Sequence, residues 1–371
     1  MAAKKKDDNE STAFKDRVDR TAVTNLGKKL KSVYPKFDVK RFADHVCDDN
    51  FLKLELLDRI RAIASGLQPF LPKDYRKAVD VIVKAAANNC GFNWALTGYI
   101  EKFGVEDFET SVPALKELTK YGSSEFAIRP FMINYPDRMM PVLHDWAVDE
   151  NEDVRRLAAE GSRPRGVWVA HIEAFKKDPK PVLELLDKMK TDESKYVQKA
   201  VANNLNDISR EHPDLVIKTA KQWLRNGDKN TAWIVRRACR SLIKQGHPDV
   251  FEIFGFTPNP KVTVKGLKLT PSKLKIGGDL TIGFEIVSSA KKEQRLAVDY
   301  RVEFQSASGK PSSKVFKLSE KSIAAGGTLP LQKKHSFVPA TTRKLFPGEH
   351  KVEIIINGKS AGTKTFMLTK G

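Results

Sequence analysis

Between residues 135 and 246 the chain repeats one unit three times, and this repetition limits the fold more than any other feature. After Tyr135-Pro136 an apolar-periodic segment covers about 137–149. A short polar turn comes next, and a second segment begins near Asp153. After Asp178-Pro179 the run PVLELLDKMK leads through a turn at 192–194 into KYVQKAVANNLNDIS. After His212-Pro213 the run DLVIKTAKQWLRNG leads through a turn into NTAWIVRRACRSLIKQG. Apolar residues return every three or four positions, the period of an amphipathic helix. Val154, Val197 and Val235 hold like places, 43 and 38 residues apart. A helix pair of this size cannot bury its apolar stripe alone, so copies must stack on one another.

The period and the paired helices describe a HEAT-like solenoid. Looser pairs at about 74–103 and 108–134 fit the same plan, and segments 51–67 and 74–89 carry the same spacing. The helical pattern runs from about 21 to 258 with no strand signal. The first 20 residues are charged and poor in hydrophobics, which suits a flexible arm.

Beyond the linker TPNPKV (257–262) the period changes to two. Seven candidate strands lie at 261–269, 280–289, 295–306, 313–319, 329–338, 350–358 and 362–369. Turn residues separate them: Gly277-Gly278, Ser308-Gly309-Lys310, Gly326-Gly327 and Asn357-Gly358. The last pair signals a type I′ hairpin. Seven short strands in about 110 residues suit an all-β, immunoglobulin-like sandwich without the disulfide. The expected division is therefore 1–20 arm, 21–256 helical catalytic domain, 257–262 linker and 263–371 sandwich.

The net charge is +19, and it is unevenly placed. From residue 261 onward 21 basic residues face 8 acidic ones, against 44 and 38 in the part before. A strongly basic soluble chain points to a polyanion, most commonly nucleic acid. Lysines that blunt exposed sheet edges are the plainer alternative. Cys47, Cys90 and Cys239 are too scattered for a disulfide framework or a zinc site, and Cys239 falls on an apolar helix side. No apolar run approaches the roughly 18 residues of a membrane span, and MAAKKKDDNE lacks a signal-peptide core. A cytoplasmic protein with no membrane association, no metal and no cofactor is expected.

In a stack of helix pairs the second helices usually line the concave side, so their polar faces carry the candidate site. The stretch NEDVRRLAAEGSRPRGVW (151–168) begins as a helix capped by Asp153, with Val154, Leu157 and Ala158 inward and Arg156 and Glu160 outward. Gly161 stops it, and Arg163-Pro164-Arg165 leaves on an extended path toward Trp168. Glu160, in the last turn, opposes the helix dipole. A charged last turn is common by itself, but the pattern recurs. On KYVQKAVANNLNDIS the exposed stripe reads Lys199, Asn203 and Asp207. On SSEFAIRPF a helix capped by Ser123 or Ser124 would pair Glu125 with Arg129. The last second helix offers Arg236, Arg237, Arg240 and Lys244. Trp168 is expected at the surface and Trp233 in the core.

SSEFAIRPF, RRLAAEGSRPR and VANNLNDIS, set in a helical solenoid over residues 20 to 256, resemble the HEAT-like DNA alkylation repair glycosylases of the AlkC branch. A basic immunoglobulin-like domain after the repeats is what one sub-branch of that family carries. The resemblance implies a glycosylase that excises cationic N3-methylated bases, 3-methyladenine and 3-methylcytosine, from duplex DNA; nothing in the stripes suggests the lysine of depressed pKa that a lyase needs, so a monofunctional enzyme is expected. The resemblance also implies bending of the duplex without flipping the base; a clamp around DNA needs only one chain, so a monomer is expected. Carried onto matching positions, the catalytic acids are Glu125, Glu160 and Asp207. Trp168 and the surrounding Arg129, Arg156, Arg163, Arg165, Lys199, Asn203, Arg236, Arg237 and Arg240 would hold the DNA. Asp207 is the expected sugar-facing acid; Glu125 and Glu160 are left to read the cationic base or to assist the water.

That chemistry needs anionic groups and no general acid. An N3-methylated base already carries positive charge, so its glycosidic bond is weakened, and carboxylates stabilise the oxocarbenium-like sugar. A non-catalytic scaffold is the competing reading, since solenoids and immunoglobulin-like domains are common interaction modules. A metal-dependent nuclease is a third, and fits poorly because each acid has basic or amide neighbours.

Overall fold

The computed structural model describes residues 14–88, 93–307, 309–339 and 344–370. Residues 1–13 of the expected arm, Cys90 and Ser308 lie outside the described residues. Within them, sixteen α-helices precede eight β-strands. The helices are α1 (Arg20–Val33), α2 (Val39–Val46), α3 (Leu56–Gly66), α4 (Tyr75–Ala87), α5 (Asn93–Phe103), α6 (Phe108–Thr119), α7 (Arg129–Asn134) and α8 (Pro136–Trp146). They continue with α9 (Glu152–Gly161), α10 (Glu173–Lys177), α11 (Lys180–Asp187), α12 (Lys195–Ile208), α13 (Pro213–Arg225), α14 (Lys229–Ala238), α15 (Arg240–Gln245) and α16 (Pro248–Ile253).

The chain divides into two compact units: Met1–Glu211 with Gly227–Ile234, and His212–Asn226 with Val235–Gly371. In the first unit α4 packs on α6, α6 and α8 on α9, α8 on α11, and α9 on α12. The stacking reflects the apolar stripes. Val197, Ala200, Val201, Leu205 and Ile208 of α12 are all buried, as are Val154, Leu157 and Ala158 of α9. Side-chain oxygens close the orphan N–H groups at several helix starts, including Asp38, Asp74, Asp107 and Ser194. On α9 the cap is Asn151, whose Oδ1 accepts from the Asp153 N–H at 2.8 Å. Asp153, the expected cap, lies instead within the first turn, two positions past the observed cap.

The second unit holds the sandwich and the helices that pack with it. One sheet has the order β1-β3-β6, with β1 (Val262–Thr270), β3 (Asp279–Ser288) and β6 (Thr328–Ser336). The other has the order β2-β8-β7-β4-β5, with β2 (Lys273–Lys275), β8 (Lys359–Thr369), β7 (Gly348–Ile356), β4 (Gln294–Phe304) and β5 (Ser312–Ile323). All seven expected strands are present. The eighth, β2, is three residues long and pairs in parallel with β8, too short for alternation to reveal it. Leu280, Ile282, Phe284 and Ile286 face Val298, Tyr300, Val302 and Ile354 in the shared core.

Asn357 and Gly358 form the β7–β8 turn with φ of +44° and +78°, the left-handed pair that a type I′ hairpin requires. Asn357 also bonds across the fold: its Nδ2 donates to the Thr257 carbonyl at 2.8 Å and its Oδ1 accepts from the Ala297 N–H at 2.6 Å. Phe251 and Phe256 pack on Ala297, so α15 and α16 share a small core with β4. The expected single helix over NTAWIVRRACRSLIKQG is broken at Cys239, between α14 and α15. The Cys239 thiol is fully buried, which pushes its pKa up to about 12 and makes it a packing group.

Candidate active site

The end of α9 and the loop after it set the geometry. Gly161 ends the helix against Ile128, where an added Cβ would stand 2.8 Å from the Ile128 Cγ2. Ser162 donates to the Ala158 carbonyl at 2.7 Å, and Asn204 of α12 donates to the Ala159 carbonyl at 2.8 Å. The orphan carbonyls of the last turn are thereby closed, and α12 is tied to α9.

Arg129 locks the loop beyond α9. Its guanidinium donates to the carbonyls of Gly161 and Arg163, both at 2.9 Å, and twice to that of Ala170, at 3.0 and 2.7 Å. The side chain was expected at the DNA surface and paired with Glu125; instead it is 3% exposed and serves the backbone. Burial, with Arg163 beside it, pulls its pKa down to about 10, where it is still a cation at neutral pH. The loop it holds carries Trp168 at φ +66°, a left-handed backbone that a bulky residue adopts only when its surroundings impose it. Trp168 is 63% exposed, at the surface as its sequence context implied.

Three carboxylates gather around this frame. Glu125 lies in a turn ahead of α7, with its N–H bonded to the Ser123 hydroxyl at 3.2 Å, and not on a helix as expected. It is ion-paired with Arg156, which also donates to Ser123 at 2.6 Å and lies 4.9 Å above the Tyr196 ring. Glu160 is ion-paired with Arg163. The Nε of Arg163 reaches on to the Asp207 Oδ2 at 2.7 Å, so one arginine joins acids of two neighbouring repeats.

Exposure separates the acids. Glu125 and Glu160 border a cavity of about 230 Å³ together with Trp94, Phe126 and Trp168. Asp207 is 4% exposed and lies behind Arg163, whereas the stripe read from sequence had it outward. Of that stripe, Lys199 is exposed and Asn203 half-buried. Burial pushes the Asp207 carboxyl above the usual aspartate range, against the pull of Arg163 and Arg210 and with help from Glu160. Arg163 experiences the same burial, but two carboxylates outweigh it and hold the proton more firmly.

The remaining basic candidates are distributed. Arg165 donates to both oxygens of Glu211, at 3.0 and 3.3 Å from Nε. Trp233 is half-buried, with the Lys195 ammonium 4.7 Å from its ring. In the second unit Arg236 is not an open phosphate ligand. It is ion-paired with Glu320 of β5 and lies 4.7 Å over the Phe254 ring. Arg237 and Arg240 flank it half-buried, with Arg240 donating to the Arg237 carbonyl at 2.9 Å. A helical wheel drawn on α14 cannot show that a strand 84 positions later covers its polar side. Trp94 and Phe126, with ring centroids 5.9 Å apart, were not among the expected site residues. Phe126 stands next to Glu125 within SSEFAIRPF, whereas Trp94 lies outside all three motifs and carried no such signal.

The alkylpurine DNA glycosylase AlkC of Pseudomonas fluorescens, solved bound to DNA containing an abasic site analogue, superposes on this chain with a TM-score of 0.90. It is 35% identical, over 96% of this chain and 99% of that one. This chain belongs to the AlkC family of DNA alkylation repair glycosylases. Two family descriptions match along it: DNA alkylation repair enzyme over residues 115–242, and the C-terminal immunoglobulin-like domain of YhaZ over 263–370. A second relative, the uncharacterised protein YhaZ of Bacillus subtilis (strain 168), is 37% identical over 356 residues, 96% of this chain and 99% of the relative. The helical repeat followed by an immunoglobulin-like sandwich, read from the two periods of the sequence, is thus the AlkC architecture. Among the described residues no helix is long and apolar enough to cross a membrane.

Proposed function

We propose that this chain hydrolyses the N-glycosidic bond of cationic N3-alkylated bases, 3-methyladenine and 3-methylcytosine, in duplex DNA. The observation that carries the reading is the pair of carboxylates, Glu125 and Glu160, on the wall of one cavity beside the exposed Trp168. Arg156 and Arg163 hold these acids in place, and the fully buried Arg129 sits behind them. Preorganised negative groups stabilise a sugar cation without reorganising as the charge develops. The base is already cationic, so it leaves without a proton donor.

In this mechanism Glu125 and Glu160 face the alkylated base and orient the attacking water. Asp207 completes the acid set through Arg163, which it holds at 2.7 Å while adding negative potential to the sugar side. Trp168 presses on the bent duplex from a backbone already fixed in the required conformation, so no base need be flipped into a closed pocket. Arg165, Lys199 and Asn203 approach the phosphates. The basic immunoglobulin-like domain, with 21 basic against 8 acidic residues from 261 onward, adds salt-sensitive contacts to DNA. Among the described residues none that borders the acid cavity is a lysine, which favours a hydrolase without lyase activity.

The test is chromatographic. Duplex DNA carrying 3-methyladenine or 3-methylcytosine is incubated with the chain, and free base is measured. Release of methylated base with an intact abasic strand supports the reading, and binding of the duplex with no release overturns it.

A further inference from the structure

Next to the acid cavity lies a larger one, about 420 Å³, that the reaction above leaves unused. Trp94, Phe126, Trp168 and Val169 border both, so the two spaces adjoin. The far side is built by α3 and α5, which approach closely at Gly98: a Cβ there would stand 3.2 Å from the Ala64 Cβ. The space lies within the range that holds small organic ligands. Its walls are mainly aromatic and aliphatic, with Arg61, Ser65, Thr97 and Lys102 also on them, and one carboxylate, Glu101, faces it from α5.

Glu101 is the uncommitted polar group of this cavity. Two cations border the same cavity and each has another partner: Arg61 is ion-paired with Asp58 at 3.1 Å, though its charge also acts on Glu101, and Lys102 donates to the Ser65 hydroxyl at 2.6 Å. Glu101 has no hydrogen bond or ion pair among the described residues, and burial raises its pKa above the ordinary glutamate value against the pull of Arg61. An aromatic wall with a lone carboxylate suits a flat heterocycle that bears an amine. Stacking of one base on an aromatic side chain contributes roughly 1–3 kcal/mol, and a carboxylate accepts from an exocyclic NH₂.

We infer that this cavity receives the free nucleobase after the glycosidic bond is broken, and that it takes bases with an exocyclic amine. The inference rests on the proposed glycosylase reading. In the hydrolysis the C1′–N bond breaks, its electron pair goes to the base nitrogen, and the base becomes neutral. Water supplies hydroxide to C1′, and its proton passes to the carboxylate that orients it and from there to solvent. The neutral base has lost its Coulomb attraction to Glu125 and Glu160, while the adjoining aromatic cavity offers stacking and one hydrogen bond. Charge loss therefore moves the product out of the acid cavity and frees it for the next lesion.

Equilibrium dialysis of labelled 3-methyladenine against the full chain, without DNA, tests this. The expected result is saturable uptake that weakens about tenfold in Glu101→Gln, a change matching one hydrogen bond to a charged group. Uptake should vanish in Leu57→Trp, which fills the cavity from its partly exposed rim on α3, and persist in Glu160→Gln. Uracil, which has no exocyclic amine, should bind more weakly than 3-methyladenine. Circular dichroism establishes that each variant is folded, and if Leu57→Trp is not, Glu101→Gln and uracil decide. Absence of saturable uptake, uptake unchanged in Glu101→Gln, or uptake lost in Glu160→Gln would overturn the inference. Dialysis needs no turnover, so its failure leaves the base-release assay standing, and failed release with intact uptake counts against the glycosylase reading alone.

Discussion

Arg163 donates from Nε to the Oδ2 of Asp207 across 2.7 Å, joining side chains 44 positions apart, and its other arm is ion-paired with Glu160. Both partners are nearly inaccessible, with side-chain exposures of 10% for Arg163 and 6% for Asp207. Removing one member of a buried pair leaves an uncompensated charge, which costs about 3–5 kcal/mol. Arg163→Ala is therefore expected to lose stability of that order in denaturant unfolding. Arg163→Lys should recover part of it, since one ammonium cannot span both acids. Equal stability of the alanine variant and the parent would remove the arginine from the framework.

The proposed mechanism predicts an acid limb of the activity from Asp207. Its folded carboxyl titrates above the ordinary aspartate value of 3.8, because burial disfavours the anion and Glu160 adds to the effect. The mechanism uses the anion, so kcat/KM should fall as pH drops through this raised value, earlier than an exposed aspartate would allow. The linkage sign is opposite for stability: the folded state binds this proton more tightly, so the contribution is present at low pH and lost as pH rises through the folded pKa. A pH profile with Asp207→Asn as reference measures the limb; a profile flat down to about pH 4, near the ordinary aspartate value, contradicts it.

Arg129 is expected to act on the loop and not on DNA. Its fork closes the carbonyls of Gly161, Arg163 and Ala170, and each buried carbonyl left open costs roughly 1–3 kcal/mol. Arg129→Lys keeps the charge and loses the fork. The variant should melt earlier and lose kcat, while the slope of DNA affinity against salt stays that of the parent. A reduced salt slope would instead make Arg129 a phosphate ligand.

Asp299, in the second unit, supplies a separate stability test. Burial raises its pKa to about 6, only partly offset by Lys317. A carboxyl raised from 3.8 to about 6 favours the fold below the unfolded value and loses that advantage as pH rises through 6. Asp299→Asn should thus stabilise the protein above about pH 7, by on the order of 2–3 kcal/mol. The gain should shrink on acidification. Urea melts at about pH 4.5 and 7.5, on either side of the folded value, measure both, and destabilisation at the higher pH would contradict the assignment.

Much of the fold was legible because burial imposes periods on the sequence. The helix pairs, the strands and the Asn357-Gly358 turn reflect helical repetition, two-residue alternation and left-handed backbone chemistry. The site was legible as a set of residues and not as a geometry. Pro130 marks a helix start, and reading it so would have placed Glu125 in the turn ahead of α7, where the structure has it. The partners of Glu125 and Asp207 come from other repeats, and no spacing within one helix reveals them. The stripe of α12 looked solvent-facing at Asp207 because a helical wheel ignores the loop from α9 that brings Arg163 onto it. Arg236 was misplaced for the same reason, since β5 provides Glu320.

The most direct measurement is single-turnover release of 3-methyladenine from duplex DNA by Glu160→Gln beside the parent, with DNA affinity measured in parallel. Loss of one preorganised group of this kind lowers the rate about 10²–10³-fold. The carboxylate mechanism predicts a loss of that size with affinity nearly unchanged. Release by the variant at the parental rate would contradict it.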